Sequence, residues 1–277
     1  MSRIVGHGSK GPGDENFPVA SWLINSKLRP HVLRFYAFAR AADDVADDPN
    51  LSKIEKLRRL DAFEAGLDGL GEPAAMTLRD SLDETGLTDL YARQLLSAFR
   101  QDAEVGRYRT WDDLLDYCSR SANPVGRYLL DLHGEDQAQY PASDALCTVL
   151  QVLNHVQDCG EDYEAMDRVY LPLVWLDENQ LTTDALSFGV TGPRLRRVFD
   201  EILDRCETML TFARNRRSPL RSRRLNGEMV AITALAFRLL GRLRSRDPLA
   251  ERVRLTKPDF AIAGLRGAAA CVLRGLS

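Results

Sequence analysis

The chain has 277 residues, with 37 Lys plus Arg against 40 Asp plus Glu and a formal charge of −3. That length supports a sizeable core, and the balanced charge gives nucleic acid no reason to bind. Five cysteines (Cys118, Cys147, Cys159, Cys206 and Cys271) form no CxxC pair, which fits small core residues in a reduced, cytoplasmic setting and argues against a disulfide framework.

Residues 1–14 are polar and Gly-rich and carry no apolar signal core, so a disordered or loosely ordered start is expected. A short helix follows at 17–25, then the helix at 29–47 that carries the aspartates. A helix at 51–70 has Ser52 as its cap and ends at Gly71-Glu72-Pro73. Helices at 74–85 and 88–105 are split by Gly86. Thr110 caps a long helix at 111–132, kinked at Asn123-Pro124. Ser143 or Asp144 opens the next helix, which runs to 162. The stretch 164–190 reads as irregular. Long helices are expected at 193–214 and 219–245, and a last one at 258–273. Strand signals are weak throughout, so residues 15–277 read as one all-α domain. The most apolar run, AIAGLRGAAACVLRGL, is interrupted by Arg266 and Arg274. A spanning helix is therefore not expected, whereas peripheral contact with the inner membrane stays open.

Two stretches carry the chemistry. In HVLRFYAFARAADDVADD, residues 31–48, Asp43 and Asp47 are four apart, as are Asp44 and Asp48. Each pair shares a helix face, and stepping back from Asp43 adds Arg40 and Tyr36 to one polar stripe. Like charges at this spacing repel. Either a hard divalent cation relieves the repulsion or the stretch is a solvated acidic helix end. In QVLNHVQDCGED, residues 151–162, Asn154, Asp158 and Asp162 recur every four residues, with Gln151 one turn earlier. The other side of that helix is apolar. An oxygen-rich face on a core helix is costly unless it holds a cation or water. Two such helices facing one another across a cavity could hold Mg²⁺ and a diphosphate. His155 points about 100° away from Asn154 on a helix and reads as a core or surface residue. Arg107 reads equally well as a diphosphate contact or a surface ion pair.

ADDVADD preceded by FYAFAR, with NHVQDCGED followed by RVYLP, resembles the squalene and phytoene synthase family over residues 16–172. The resemblance implies an all-α isoprenoid synthase fold, a trans-prenyltransferase-like helical bundle with a deep central cavity. It also implies Mg²⁺, with Mn²⁺ as a substitute, and long prenyl diphosphates as substrates. Asp43 and Asp47 match the family's first metal motif, and Asn154, Asp158 and Asp162 match its second. Tyr36, Arg40 and Gln151 match positions lining the diphosphate site, and Asn16, Gln157 and Arg168 are further substrate-binding candidates. Within the family, ENFPVAS at 15–21, YCSRSANPVG at 117–126 and the Gln157-Asp158 pair are most similar to one bacterial branch. That branch turns presqualene diphosphate and water into hydroxysqualene during hopanoid biosynthesis.

The implied catalytic set is Asp43, Asp47, Asp158, Asp162 and Asn123, the last positioning the quenching water. No nicotinamide cofactor is expected. The implied partners are an upstream presqualene diphosphate synthase and a downstream hydroxysqualene reductase. The rival activity is head-to-head condensation of two farnesyl or geranylgeranyl diphosphates. It is disfavoured because Arg120 stands where condensing relatives carry a tyrosine. Gln157 replaces an arginine of many relatives, and Arg120 is a candidate to restore that charge.

Overall fold

Helix α1 (Arg29–Asp47) has the expected bounds. Pro30 sits in its first turn, where its missing N–H costs nothing. Asp48 turns extended ahead of Pro49, which disfavours helical geometry in the residue before it. Val32, Phe35, Phe38, Ala42 and Ala46 form its buried face. The computed structural model describes residues 24–216 and 220–273. The disordered start expected at 1–14, the site residue Asn16 and the helix expected at 17–25, as far as residue 23, lie outside the described residues.

Helix α2 (Lys53–Leu67) is capped by Ser52, whose hydroxyl accepts from Glu55 N. Helix α3 (Pro73–Thr85) ends at Gly86 in the left-handed region, φ 68°, which suits a residue without Cβ. Helix α4 (Leu90–Asp102) follows. Thr110 and Asp113 form a reciprocal capping box for α5 (Trp111–Ser121). The expected kink is a break, because Pro124 starts a separate helix, α6 (Asn123–Leu132).

The next helix differs more from expectation. It starts at Tyr140 rather than at Ser143 or Asp144, because Pro141 sits in its first turn behind a short 3₁₀ turn capped by Asp136. It ends at Gln157, giving α7 (Tyr140–Gln157) and α8 (Cys159–Met166) with Asp158 between them. The stretch expected to be irregular contains α9 (Leu173–Glu178) and a 3₁₀ turn, Thr183–Ser187. Helices α10 (Pro193–Arg216), α11 (Arg223–Ser245) and α12 (Lys257–Leu273) complete the chain. Among the described residues there is no strand, only an isolated bridge between Arg107 and Val169.

Two cores result. One lies among α1 to α4, around Phe38, Phe63, Leu78 and Leu96. The other is larger and gathers α5, α7, α10 and α11 around Leu153, Phe199, Leu203 and Leu239. Helix α7 touches α6, α10 and α11, while α1 packs on α2, α3 and α4. The two acidic helices thus belong to different cores, and the space between those cores is where a site can form.

Candidate active site

A cavity of about 390 Å³ opens between the cores. At one end Tyr36, Arg40 and Asp43 of α1 meet Gln151 and Asn154 of α7. Its other walls are mainly apolar and include Phe35, Phe99, Leu129, Leu146 and Met229. Ser121, Ser143 and Glu228 also line the cavity; a cluster of polar groups from both acidic helices in a mainly apolar cavity suits a molecule with an anionic head and a long hydrocarbon body. Five of the residues singled out from the sequence therefore converge as the helical spacing requires.

Arg40 donates to Asp43 Oδ2 at 3.0 Å and to Asp44 Oδ1 at 2.6 Å. The stripe is thus partly neutralised within its own helix. The Asp43 carboxyl is still pushed above the usual range, first by loss of water and then by the charge of Asp47. Asp47 itself receives the Arg168 guanidinium.

On the facing side, Asp158 interrupts the helix but not its register. Asp158 N donates to Asn154 O at 2.9 Å and Asp162 N to Asp158 O at 2.8 Å. The four-residue rise therefore continues through Asn154, Asp158 and Asp162. The Asp162 carboxyl is pushed up to about 8 by burial, then by Asp158 and by Asp47 on the opposite helix. Arg168 links the two acidic motifs directly: its backbone N–H donates to the Asp162 carbonyl at 3.2 Å and its guanidinium donates to Asp47.

Among the described residues no three His, Cys, Asp or Glu side chains form a ready-made metal cage. Mg²⁺ does not require one, since it is usually held by one or two carboxylates together with waters and substrate phosphates. Mutually repelling carboxylates on facing helices, supplemented by the amide oxygen of Asn154, have the donor chemistry for that mode.

The sequence reading missed Asp102. It is buried at the end of α4, where Tyr117 Oη donates to it at 2.8 Å and Tyr170 Oη at 3.1 Å. Burial raises its carboxyl to about 6, although Arg168 and the two hydroxyls oppose the shift. Tyr117 also lines the cavity. His155 stacks on Tyr170 with ring centroids 3.6 Å apart and contacts Gln151 at 3.2 Å. Burial, then the Arg168 charge, lowers its pKa to about 3, so it is a neutral core residue.

Other candidates sit elsewhere. Arg168 is 6% exposed and ties Asp47, the Ala46 carbonyl and the Asp102 carbonyl together, away from the cavity lining. Asn123 is buried between α6 and α7, where Oδ1 accepts from Thr148 at 3.0 Å, and it is not among the cavity-lining residues. From its stretch Ser121, Val125 and Gly126 line the cavity instead. Gln157 is buried and borders, with Asp158, a second depression next to Glu161 and Leu249. Arg120 is held by Ser97, Gln101 and Asp116, and Arg107 by Asp167. Neither restores charge to the cavity in this arrangement.

A family model described as Squalene/phytoene synthase matches residues 11–259. A hydroxysqualene synthase of Rhodopseudomonas palustris is 43% identical over 263 residues, covering 94% of this chain and 90% of the relative. A second, from Sinorhizobium fredii, is 41% identical and covers 91% of this chain and 87% of the relative. The solved structure of squalene synthase HpnC from Alicyclobacillus acidocaldarius superposes with a TM-score of 0.72 at 30% identity. The match covers 82% of this chain and 87% of that one. A dehydrosqualene synthase in complex with ligand reaches a TM-score of 0.78 at 20% identity, covering 94% of this chain and 92% of that one. It shares the isoprenoid synthase helical fold.

Proposed function

Because the chain belongs to the squalene/phytoene synthase family, we propose that it converts presqualene diphosphate and water to hydroxysqualene and diphosphate. The observation that carries this reading is the mainly apolar cavity whose wall carries polar residues of both acidic helices. The relatives named hydroxysqualene synthase, similar over about nine-tenths of the chain, support the same outcome.

Asp43, Asp47, Asn154, Asp158 and Asp162 would hold Mg²⁺. When bound, the ion neutralises diphosphate oxygens and so stabilises a departing diphosphate. Arg40, on the cavity wall beside Asp43, presents a guanidinium suited to phosphate oxygens. Tyr36 and Gln151 offer further donors at the same end. In the proposed reaction the carbon–oxygen bond to diphosphate breaks, and both electrons leave with the diphosphate. Phe35 and Phe99 present aromatic surface along the wall that would shelter the cation.

Water oxygen then bonds to carbon, and the proton lost passes to the released diphosphate. Ser121 Oγ is buried on the cavity wall and has no hydrogen-bond partner among the described residues. It is therefore better placed than Asn123 to hold that water. In this reading a cytoplasmic enzyme that makes presqualene diphosphate supplies the substrate, and a reductase consumes the alcohol.

The test is incubation of the protein with presqualene diphosphate and Mg²⁺, without nicotinamide, followed by product identification. Hydroxysqualene is expected. Conversion of farnesyl diphosphate alone to presqualene diphosphate or a condensed hydrocarbon would establish the rival reaction instead.

A further inference from the structure

Helix α12 carries its apolar side chains the wrong way round for a soluble surface helix. Its five large hydrophobic residues are all exposed: Phe260 37%, Ile262 53%, Leu265 72%, Val272 64% and Leu273 68%. Its inner face is small instead. Gly267 lies so close to Gly227 of α11 that a Cβ on either would stand 2.6 Å from the other's carbonyl oxygen. Ala263 completes that contact by packing on Ala231 and Leu235. Ala261, Ile262, Leu265, Ala269 and Val272 share the outward arc, and no charge interrupts it. A surface helix ordinarily turns polar residues outward.

The charges lie at the margins, and they are of one sign. Arg254 and Lys257 are exposed where α12 begins, Arg266 flanks the apolar arc, and Arg223 and Arg224 are exposed at the far end. Arg223 is placed there by its carbonyl, which accepts from Cys271 Sγ at 3.1 Å. The acid of α12, Asp259, is buried and already bonded to Arg238 at 2.9 Å and to Arg242 at 2.6 Å. A chain of net charge −3 therefore presents a basic rim around its outward apolar helix. No helix among the described residues is long and apolar enough to cross a membrane.

We infer that α12 docks the protein on an anionic lipid bilayer, lying in the plane of the interface. Its apolar arc enters the headgroup boundary, and its basic rim meets lipid phosphates. A neutral or acidic partner surface would leave either the apolar arc or the basic rim unanswered. The placement also suits the cavity. Leu225, Met229 and Ile232 of α11 line the cavity, and α12 packs directly on α11. The docked face is thus one helix layer from the hydrocarbon-binding walls. The inference does not depend on which prenyl diphosphate is the substrate.

The full chain, without substrate or metal, is sedimented with vesicles of phosphatidylcholine, or of phosphatidylcholine with roughly one third phosphatidylglycerol. It should bind the mixed vesicles at least about tenfold more tightly than the neutral ones, and added salt should weaken the binding. Leu265→Glu combined with Val272→Glu should lower binding roughly tenfold or more. Lys257→Glu with Arg266→Glu should lower binding to the mixed vesicles specifically, and because these side chains are exposed the thermal melt should not move. Ile54→Glu, on α2 and 80% exposed, should bind like the parent. Failure of the parent to sediment with the mixed vesicles, or equal binding by both double variants, would overturn the inference. So would a solution dimer that Leu265→Glu with Val272→Glu dissociates, which would assign the face to a second copy of the chain.

Discussion

Replacing Arg168 by methionine should cost the fold more than it costs substrate affinity. The guanidinium lies between α1, α4 and the segment after α8, and it donates to three oxygen acceptors and, at 3.5 Å, to Met166 Sδ. The losses are unequal. The Ala46 carbonyl keeps Lys56 Nζ at 2.7 Å, so it is not orphaned. The Asp102 carbonyl loses its side-chain donor, at a cost of about 1–3 kcal/mol. Asp47 loses its cation, but its side chain is 30% exposed, so water discounts that loss to about 1 kcal/mol. The buried Asp102 carboxylate also loses a nearby positive charge. Together these give about 3 kcal/mol, which for a chain of 277 residues is a melting shift of roughly 5 °C. Differential scanning calorimetry beside pyrophosphate inhibition separates the two roles. An unchanged melt with abolished pyrophosphate binding would refute the structural role and make Arg168 a substrate ligand.

Asp43→Asn and Asp158→Asn should each abolish turnover while leaving the melt unchanged or slightly higher, because each relieves like-charge repulsion; near-normal activity at low Mg²⁺ would remove the metal assignment. Arg40→Ala should weaken pyrophosphate inhibition with little loss of stability, since its pairs with Asp43 and Asp44 are i,i+3 and i,i+4 contacts within one helix at a partly exposed site; a large drop in melting temperature with intact inhibition would assign Arg40 to the helix alone. Asn123→Leu should cost about 1–3 kcal/mol, because Thr148 loses its buried acceptor, whereas Ser121→Ala should lower the alcohol share among the products; the opposite pattern in chromatograms and melts would return the water to Asn123. His155 takes up its proton only near pH 3 when folded, against about 6.5 when unfolded. The unfolded chain therefore binds more protons between these values, and stability should fall as pH drops through that window by up to about 1.4 kcal/mol per unit. His155→Phe should flatten that part of a urea-denaturation pH series, and an unaltered slope would contradict the neutral assignment.

The local part of the site was legible in the sequence. Tyr36, Arg40 and Asp43 fall on one face because helical spacing places them there, and α1 begins and ends at its prolines. The same spacing put Asn154, Asp158 and Asp162 together even though the helix breaks at Asp158, because the hydrogen bonds continue through the break. What the sequence leaves unread in the site is long-range. Asp102 looks like one acid in a polar helix end, and its meaning depends on Tyr117 and Tyr170, the latter 68 residues away. The family resemblance implies Arg168 as a substrate contact, and no spacing in the sequence shows that its side chain turns 121 residues back to Asp47. Asn123 shares a motif with Ser121, and only the packing of α6 on α7 decides which of them faces the cavity. The start of α7 could have been found, since proline in a first turn is itself a helix signal.

The most direct test is single turnover on presqualene diphosphate with Mg²⁺ in ¹⁸O-water, with nicotinamide withheld. Hydroxysqualene carrying the solvent label, released with diphosphate, is the predicted result. Unlabelled alcohol, or squalene that accumulates only once NADPH is added, would contradict capture of the cation by water.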